Sequence, residues 1–463
     1  MWSEQDYERP RGIVFIVADD LGFGDLGALN FGVSRTPSLD NLAREGVVLS
    51  QHYSGAPVCA PSRAALLTGR YALRTGAVDT IEAYGHDRIS LRERTLGDVF
   101  RMSGWTTGYF GKWHNGAFDV RYHPRNRGFE EFVGFLGGWQ DYYDYRLDNG
   151  TALERSDGSY LTDRITQEAI EFVRRHSRDK FLLCVMYNAP HYPLQAPSVV
   201  TRRYLERGLA RGVATIYAMV EEMDRGIGQI LDCLESLGLL DDTLVVFTSD
   251  NGPQLGGTGE WSTDRFNCGW SGQKGSVLEG GIRVPALVRW PGGVEAGRVC
   301  HEMVHFCDWL PTLCEISGVS LGDGALIDGV SVATQLLGRE KVLEYPERYW
   351  QWNRFLPVWG CNAAIRAGDW KLVVPAIASF LEISPEDRLV DEQTKIGTRG
   401  FVHRAFEERV VDRVEPVLYN IAQDPQERRE VSSEYPARVA SMLGLLERWF
   451  VSMQVEGFGM SPS

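Results

Sequence analysis

Short apolar runs, rich in β-branched and aromatic residues, recur along the chain and end abruptly in charged or polar residues. The first is GIVFIVA, from Gly12 to Ala18, and two aspartates follow it directly. Three further runs have the same character: WTTGYFGKWH, FLLCVMYNAPH and TLVVFTSDNG. Runs of this length and composition are typical of buried parallel strands, which have no solvent-facing side. They restrict the chain to folds built around a buried sheet.

Helical segments alternate with these runs. Before TLVVFTSDNG, apolar residues recur at helical spacing from Ile216 to Leu237, and a GLLDDT turn leads into the strand. Repeated helix, turn and strand predict an α/β fold with a large mixed, mostly parallel sheet flanked by helices.

The pattern changes near residue 339. The segments ERYWQWNRF, NAAIRAGDWKLV and EPVLYNI are strand-like and aromatic, and a helix through Met442 and Trp449 closes the chain. We therefore predict two domains: an α/β domain over residues 1–339, which carries the candidate site, and a smaller C-terminal α+β domain with an antiparallel sheet over residues 340–463.

Polar groups follow each of the four apolar runs. Ligands of open α/β sheets bind beyond the carboxyl ends of the strands, so these groups are expected to converge on one site. They are Asp19 and Asp20, Lys112 and His114, His191, and Asp250 and Asn251.

The two acidic pairs offer a hard, all-oxygen set of ligands. Three carboxylates (Asp19, Asp20 and Asp250) and the amide oxygen of Asn251 suit Ca²⁺, with Mg²⁺ as the alternative, and they suit zinc poorly. Taken singly, each pair is also common turn chemistry at a strand end.

Cys59 begins the segment CAPSRAALLTGR. Pro61 suits the first position of a helix, which would place Cys59 at a helix N-terminus, where anions are favoured. Arg63 adds a planar fork for a tetrahedral oxyanion. The alternative is a buried cysteine followed by an arginine in a surface salt bridge.

Composition narrows the choice of partners. The formal net charge is −14 and the pI is near 5.2, which disfavours nucleic-acid binding but permits a small anion in a local cationic pocket. No apolar run reaches the length of a membrane span, so no membrane partner is expected.

The first residues, MWSEQDYERPRG, lack the features of a secretory signal. The expected location is the cytoplasm, or outside the cell if a leader has been removed.

The string from Cys59 to Arg70 resembles, without a gap, the signature C-x-P-S-R-x-x-L-L-T-G-R of type I, formylglycine-dependent sulfatases of the alkaline phosphatase superfamily. Similar matches are GKWH, NAPHYP, SGQKG, EGGIRVP, AIRAGDWKLV and LYNIAQDPQERREV, and the resemblance extends from Asp19 to about Val431. The stretch GFEEFVGFLGGWQDYYDY resembles the arylsulfatase A and B and galactosamine-sulfatase branch. One departure is Asn115-Gly116, where Leu-Gly is usual.

The resemblance implies a sulfuric ester hydrolase with an alkaline-phosphatase-like fold. A maturation enzyme would oxidise Cys59 to formylglycine, whose hydrate, a gem-diol, attacks the sulfur of a sulfate monoester. The implied site residues and their roles are the metal ligands Asp19, Asp20, Asp250 and Asn251; Arg63, Lys112 and Lys274, which balance charge on the sulfuryl oxygens; His191 or Lys274, which protonates the leaving alcohol; and His114, the base.

A sulfated carbohydrate is the expected substrate, with an aryl sulfate as a surrogate. Candidate substrate contacts are Trp139, Asp141 and Tyr142, and, in the C-terminal domain, Trp352 and Arg354. The aromatic residues are equally compatible with ordinary core packing.

Two other functions compete with this interpretation. The first is a phosphate or phosphonate monoester hydrolase of the same superfamily, distinguished by its turnover of matched aryl phosphates and aryl sulfates. The second is an inactive glycan-binding protein with the same fold, although all ten positions of the implied site are retained.

Overall fold

The computed structural model describes residues 9–339, 346–395, 398–404, 409, 411 and 414–456. A ten-stranded sheet forms the centre of the fold. Its strands are β1 (Gly12–Ala18), β2 (Val47–Tyr53), β3 (Thr106–Lys112), β4 (Glu131–Phe135), β5 (Arg146–Asp148), β6 (Leu153–Arg155), β7 (Phe181–Met186), β8 (Thr243–Ser249), β9 (Ala286–Arg289) and β10 (Arg298–His305).

The strand order is β10-β2-β9-β8-β1-β7-β3-β4-β5-β6. The strand β1 pairs in parallel with both β7 and β8, and β3 pairs in parallel with β7 and β4. The strand β9 runs antiparallel to its neighbours β8 and β2, and β5 and β6 form an antiparallel edge. The predicted mixed, mostly parallel sheet is thus confirmed.

Helices cover both faces of this sheet. Those of the first 339 residues are α1 (Pro37–Glu45), α2 (Cys59–Thr68), α3 (Ala72–Thr75), α4 (Leu96–Met102), α5 (Leu161–Arg175), α6 (Ser198–Leu205), α7 (Arg211–Ser236), α8 (Glu279–Ile282), α9 (Trp309–Ser317) and α10 (Ala333–Leu336).

Alternate residues of β1 enter different cores, as the two-residue period of a strand requires. Phe15 packs in a cluster with residues of α2 and α9. Ile16 packs in the opposite cluster with α5 and α7. All seven residues of β1 are buried, which explains why this strand is apolar throughout.

A four-stranded antiparallel sheet follows, in the order β11-β12-β13-β14. Its strands are β11 (Arg348–Gln351), β12 (Ala363–Ala367), β13 (Trp370–Val374) and β14 (Val417–Asn420). The helices of this part are α11 (Ala378–Leu381), α12 (Pro385–Lys395) and α13 (Pro436–Val455). The predicted C-terminal antiparallel sheet is confirmed.

The predicted domain boundary between residues 339 and 340 lies at the edge of the described residues, since 340–345 fall outside them. Before it, α10 ends at Leu336, and after it β11 begins at Arg348. Residues of β12, β13 and α13 share one apolar cluster with α2 and α9, so the division into two domains stays a prediction. Within the described residues, no helix has both the length and the apolar character that a membrane span needs.

Candidate active site

Four adjacent strands, β8, β1, β7 and β3, are mutually parallel and end at the same edge of the large sheet. The predicted polar residues meet there: Asp19 and Asp20 after β1, Asp250 and Asn251 after β8, Lys112 and His114 at the end of β3, and His191 in the loop after β7. Asp20 and His114 adopt left-handed backbone conformations, with φ of 63° and 55°, which turn the chain sharply away from the strand ends.

The helix α2 presents Cys59 to this edge. The sequence predicted Pro61 at the first position of this helix. The helix instead begins at Cys59, which makes Pro61 its third residue. All ten residues of α2 are buried, and Cys59 is 3% exposed. The Ser62 hydroxyl donates to the Asp250 carbonyl at 2.5 Å, and the Asn115 amide donates to the Ala60 carbonyl at 3.0 Å. These bonds hold the start of α2 against the ends of β8 and β3.

Arg63 connects three of the strand ends. Its Nε donates to Asp250 Oδ2 at 2.8 Å, and its NH1 donates to the Lys112 carbonyl at 3.1 Å. NH2 lies 3.9 Å from Asp19 Oδ2. Burial lowers the pKa of Arg63, but the charges of Asp250 and Asp19 outweigh this and raise it, so the guanidinium remains charged.

Two lysines pair with the two adjacent aspartates. Lys112 Nζ lies 2.6 Å from Asp19 Oδ2, and both side chains are completely buried. Lys274 Nζ lies 2.7 Å from Asp20 Oδ2. Burial opposes ionisation of Asp20, yet the charge of Lys274 lowers its pKa overall, so this carboxyl is ionised.

Two side-chain oxygen atoms of the predicted metal ligands have no hydrogen-bond partner. Among the described residues, Asp19 Oδ1 and Asn251 Oδ1 are buried and accept no hydrogen bond. Burial, followed by repulsion from Asp19, raises the pKa of Asp250 to about 6. Unsatisfied oxygens beside mutually repelling carboxylates fit a hard divalent cation, which would supply the missing partner and the opposing charge. One ligand atom each of Asp19, Asp20 and His191 lies within 4.8 Å of the others.

His114 is buried with one nitrogen free to accept a proton. Its Nε2 lies 3.1 Å from the Thr80 carbonyl, which can only accept, so Nε2 carries the hydrogen. Nδ1 is buried and has no partner among the described residues. Burial, reinforced by the charge of Lys112, lowers the pKa of His114 to about 3, so the ring is neutral.

His191 is held by its main chain and by a buried tyrosine. Its Nδ1 donates to the Tyr192 carbonyl at 2.6 Å, while its Nε2 lies 3.8 Å from Asp20 Oδ2. The Tyr142 hydroxyl contacts the His191 carbonyl at 2.9 Å and the Asn188 carbonyl at 2.7 Å. Burial lowers the pKa of His191 well below its usual value, so this ring too is neutral.

A cavity of about 310 Å³ opens above Cys59. Three of the five predicted substrate contacts, Trp139, Trp352 and Arg354, line it. The remaining lining residues are Val58, Cys59, Thr80, His114, Gly138, His191, Gln254, Leu255, Gln273, Lys274, Gly275 and Lys395.

The other two predicted substrate contacts do not line this cavity. Tyr142 is 0% exposed and stacks on Tyr160, with ring centroids 5.3 Å apart. Asp141 Oδ1 accepts from the backbone N–H groups of Tyr143 and Asp144, and its Oδ2 accepts from Gln195. Both residues support the loop that carries Trp139 and the segment that carries His191.

Two charged residues, one in the cavity wall and one behind it, were missed by sequence reasoning. Lys395, the last residue of α12, lines it from the C-terminal part of the chain. Asp79 is 0% exposed and accepts hydrogen bonds from both Trp352 Nε1 and Arg354 NH1. A lysine at the end of an amphipathic helix and an aspartate in a loop are ordinary in a sequence, so neither carried a signal.

The proteins that this chain resembles are sulfatases. The sequence model of the family described as Sulfatase matches residues 11–319. Steryl-sulfatase of Mus musculus is 30% identical over 531 residues, covering 95% of this chain and 81% of the relative. N-acetylgalactosamine-6-sulfatase of Mus musculus is 33% identical over 383 residues, covering 76% of this chain and 70% of the relative.

A solved structure, that of Ps i-CgsB, has a TM-score of 0.80 and 29% sequence identity, with 96% of this chain and 93% of the other covered. The same protein has been solved in complex with k-i-k-neocarrahexaose. The matched family sequence and these relatives establish that the chain belongs to the type I sulfatase family of the alkaline phosphatase superfamily, whose members are sulfuric ester hydrolases.

Proposed function

We propose that this sulfatase hydrolyses a sulfate monoester of a sulfated carbohydrate, with formylglycine made from Cys59 as the source of its nucleophile. The observation that carries the proposal is the position of Cys59. It lies at the start of the buried helix α2, on the wall of a cavity that it shares with His114, His191 and Lys274. A cationic lysine and two neutral imidazole rings thus border the residue that a maturation enzyme would modify.

Charge balance is the main task of such a site, because the substrate and the attacking group are both electron-rich. Lys274 lines the cavity and is positively charged, since the charge of Asp20 raises its pKa despite burial. Lys112 and Arg63 lie behind it, fixed by Asp19 and Asp250. Lys274 would contact the sulfuryl oxygens, and Lys112 and Arg63 would add positive potential from behind the cavity wall.

Asp19, Asp20, Asp250 and Asn251 would hold the divalent cation, Ca²⁺ or Mg²⁺. When bound, the cation supplies Lewis-acid stabilisation of negative charge at the sulfate. The ring of His114 lines the cavity, and its buried Nδ1 has no hydrogen-bond partner among the described residues. We assign His114 the role of base, for which the negative charge of a bound sulfate would have to raise its low pKa. Lys274 and His191 both line the cavity and are the two candidates to protonate the departing alcohol. Lys274 carries a proton to donate, whereas His191 has its hydrogen on Nδ1 and would first have to bind a proton at Nε2.

The substrate class is supported by the lining and by the relatives. Trp139 and Trp352 offer aromatic faces that suit sugar rings, and Arg354 adds a planar donor. One relative is named for an N-acetylgalactosamine 6-sulfate, and Ps i-CgsB binds an oligosaccharide. A formylglycine-generating enzyme is the implied maturation partner.

The first test is mass spectrometry of the tryptic peptide Glu45–Arg63, taken from protein produced together with a formylglycine-generating enzyme. We expect Cys59 as the aldehyde or its hydrate, and release of sulfate from an aryl sulfate. A matched aryl phosphate should be a much poorer substrate. A plain thiol at Cys59 beside a working maturation enzyme, or a strong preference for the phosphate, would contradict the proposal.

A further inference from the structure

We propose that the cavity contains a second anion-binding subsite, formed by Arg354 and Lys395, and that the physiological substrate carries another oxyanion group besides the sulfate that is cleaved. The inference rests on the proposed function, because it takes the group held beside Cys59 to be a sulfate ester. It adds a residue, Lys395, to the site and a second charge to the substrate.

The charge of the cavity wall is the starting point. Among the described residues that line it, none is an aspartate or a glutamate, whereas Lys274, Arg354 and Lys395 are cationic. The whole chain has a net charge of −14, yet each charged side chain in this lining is positive. The carboxylates that pair with the three cations, Asp20, Asp79 and Asp391, lie behind the wall. Lys274 is directed at Asp20, on the side where the scissile sulfate is expected. Arg354 and Lys395 come from the C-terminal part of the chain and are not required by the cleavage reaction.

Arg354 is held rigidly from behind. Its NH1 donates to Asp79 Oδ1 at 3.1 Å and to Thr80 Oγ1 at 2.8 Å, and its guanidinium lies 5.0 Å from the centroid of the Trp352 ring. The same buried Asp79 also accepts from Trp352 Nε1 at 3.3 Å. Arg354 Nε is buried and has no partner within the described part of the chain. The Arg354 side chain is 23% exposed, so part of the guanidinium remains accessible from the cavity. An arginine that is oriented in advance and has accessible donors is suited to bind an oxyanion.

Lys395 faces the same space from α12. Its Nζ donates to Asp391 Oδ2 at 2.6 Å, which uses one of three donors, and the side chain is 16% exposed. Burial lowers the pKa of Lys395, but the charges of Glu82 and Asp391 outweigh this and raise it, so the side chain is charged. It lines the same cavity as Cys59. A lysine in this position can contact a ligand group while Cys59 acts on another.

The ligand chemistry is that of an oxyanion on a sugar. A second sulfate ester and the carboxylate of a uronate share the charge and the acceptor oxygens that an arginine and a lysine bind. An aryl sulfate carries only the anion that is cleaved, and would leave the Arg354 and Lys395 donors unused. The substrate class that fits the whole cavity is therefore a sulfated carbohydrate with at least two negative groups.

Binding to a Cys59→Ala variant tests the subsite without requiring turnover. Calorimetry would use three matched disaccharides: a monosulfated one, its disulfated form, and a monosulfated one in which a uronate replaces the neutral sugar. We expect at least one of the two doubly charged forms to bind about tenfold or more tightly than the monosulfated form, and the comparison identifies the group. Lys395→Gln and Arg354→Gln should each reduce this preference several-fold, whereas Lys395→Arg should retain it.

The matched control is Arg388→Gln, an exposed arginine of the same helix α12. It should leave the preference unchanged. Equal affinity for singly and doubly charged forms, or a preference that persists in both glutamine variants, would overturn the subsite. Failure of the proposed function would look different: mature enzyme with the aldehyde in place would release no sulfate from any form, whatever the binding data show.

Discussion

Lys371 Nζ lies 2.8 Å from Glu279 Oε1, and both side chains are completely buried. A second carboxylate, Glu427 Oε1, lies 2.8 Å from the same nitrogen. Glu279 begins α8, in the EGGIRVP segment, whereas Lys371 belongs to β13 of the small sheet and Glu427 to the loop after β14. Three sequence elements that are far apart in the chain thus meet at one buried ion cluster, which fixes the C-terminal part against the catalytic part.

Replacing Lys371 with methionine should destabilise the protein strongly. Removing one partner of a buried ion pair leaves uncompensated charge, at a cost of about 3–5 kcal/mol, and here two carboxylates lose their partner. Urea unfolding monitored by tryptophan fluorescence would measure the loss. The control Lys180→Met, at an exposed position, should change the free energy of unfolding by less than about 0.5 kcal/mol. Equal effects of the two substitutions would show that the cluster has no stabilising role.

Much of the large sheet and of the candidate active site could be predicted from the sequence. The strand Gly12–Ala18 has the predicted bounds, because a β-branched run ended by two aspartates leaves little choice of register. Convergence of Asp19, Lys112 and Asp250 followed from parallel strands ending at one edge. These predictions depend on local pattern and on a general rule of sheet topology, and both are visible in one sequence.

Other features depend on tertiary contacts that no local pattern records. Tyr142 and Trp139 lie three residues apart in one aromatic stretch, yet only Trp139 lines the cavity, while Tyr142 is buried behind it. Lys395 reaches the site because α12 packs near Glu82. Asn115, which stands where the family motif usually has leucine, contacts the Ala60 carbonyl beside Cys59 and does not line the cavity.

The stability of the protein should depend on pH through Asp87. Burial, reinforced by the charge of Glu82, raises the pKa of this carboxyl to about 7. The folded pKa lies above the unfolded value, so the stability it contributes is complete below about pH 4 and is lost as the pH rises through 7. Asp87→Asn cannot ionise, and so its stability relative to wild type should increase between pH 5.5 and pH 8.

Urea unfolding midpoints at those two pH values measure the effect. At 1.36 kcal/mol per pKa unit, the interval of about 1.5 pH units between pH 5.5 and the folded pKa of about 7 gives a relative gain of about 2 kcal/mol. Asp157→Asn provides the comparison, because Asp157 is exposed and its pKa is lowered by Ser159. A difference between Asp87→Asn and wild type that is the same at both pH values would contradict the buried, protonated carboxyl.

Cation binding should stabilise the fold as well as support activity. The three carboxylates repel one another, and a bound cation removes that repulsion. Saturation at about 100 times Kd adds about 2.7 kcal/mol to the free energy of unfolding. Treatment with EDTA should therefore lower Tm and abolish sulfate release, and titration with Ca²⁺ or Mg²⁺ should restore both and identify the better ion.

The thermal shift can also be measured on protein that retains the Cys59 thiol, which separates metal binding from catalysis. Asp250→Asn should weaken the ion-dependent shift, whereas Asp224→Asn, a buried aspartate that hydrogen-bonds the start of α1, should leave it intact. A Tm that does not respond to either ion would argue against a metal at these four residues.

The choice between Lys274 and His191 as the acid should appear in the dependence of rate on the leaving group. A sugar alcohol needs a proton as its bond to sulfur breaks, whereas a nitrophenolate does not. Loss of the true acid should therefore slow sugar sulfate hydrolysis by about 100-fold or more, while nitrophenyl sulfate turnover falls far less. His191→Asn and Lys274→Met are the two variants to compare.

Lys274 also balances the charge of the sulfate. If it is not the acid, its replacement should therefore slow both substrates alike and raise KM for each. If both variants slow both substrates equally, neither residue acts as the sole acid, and the proton must reach the alcohol from elsewhere in the cavity.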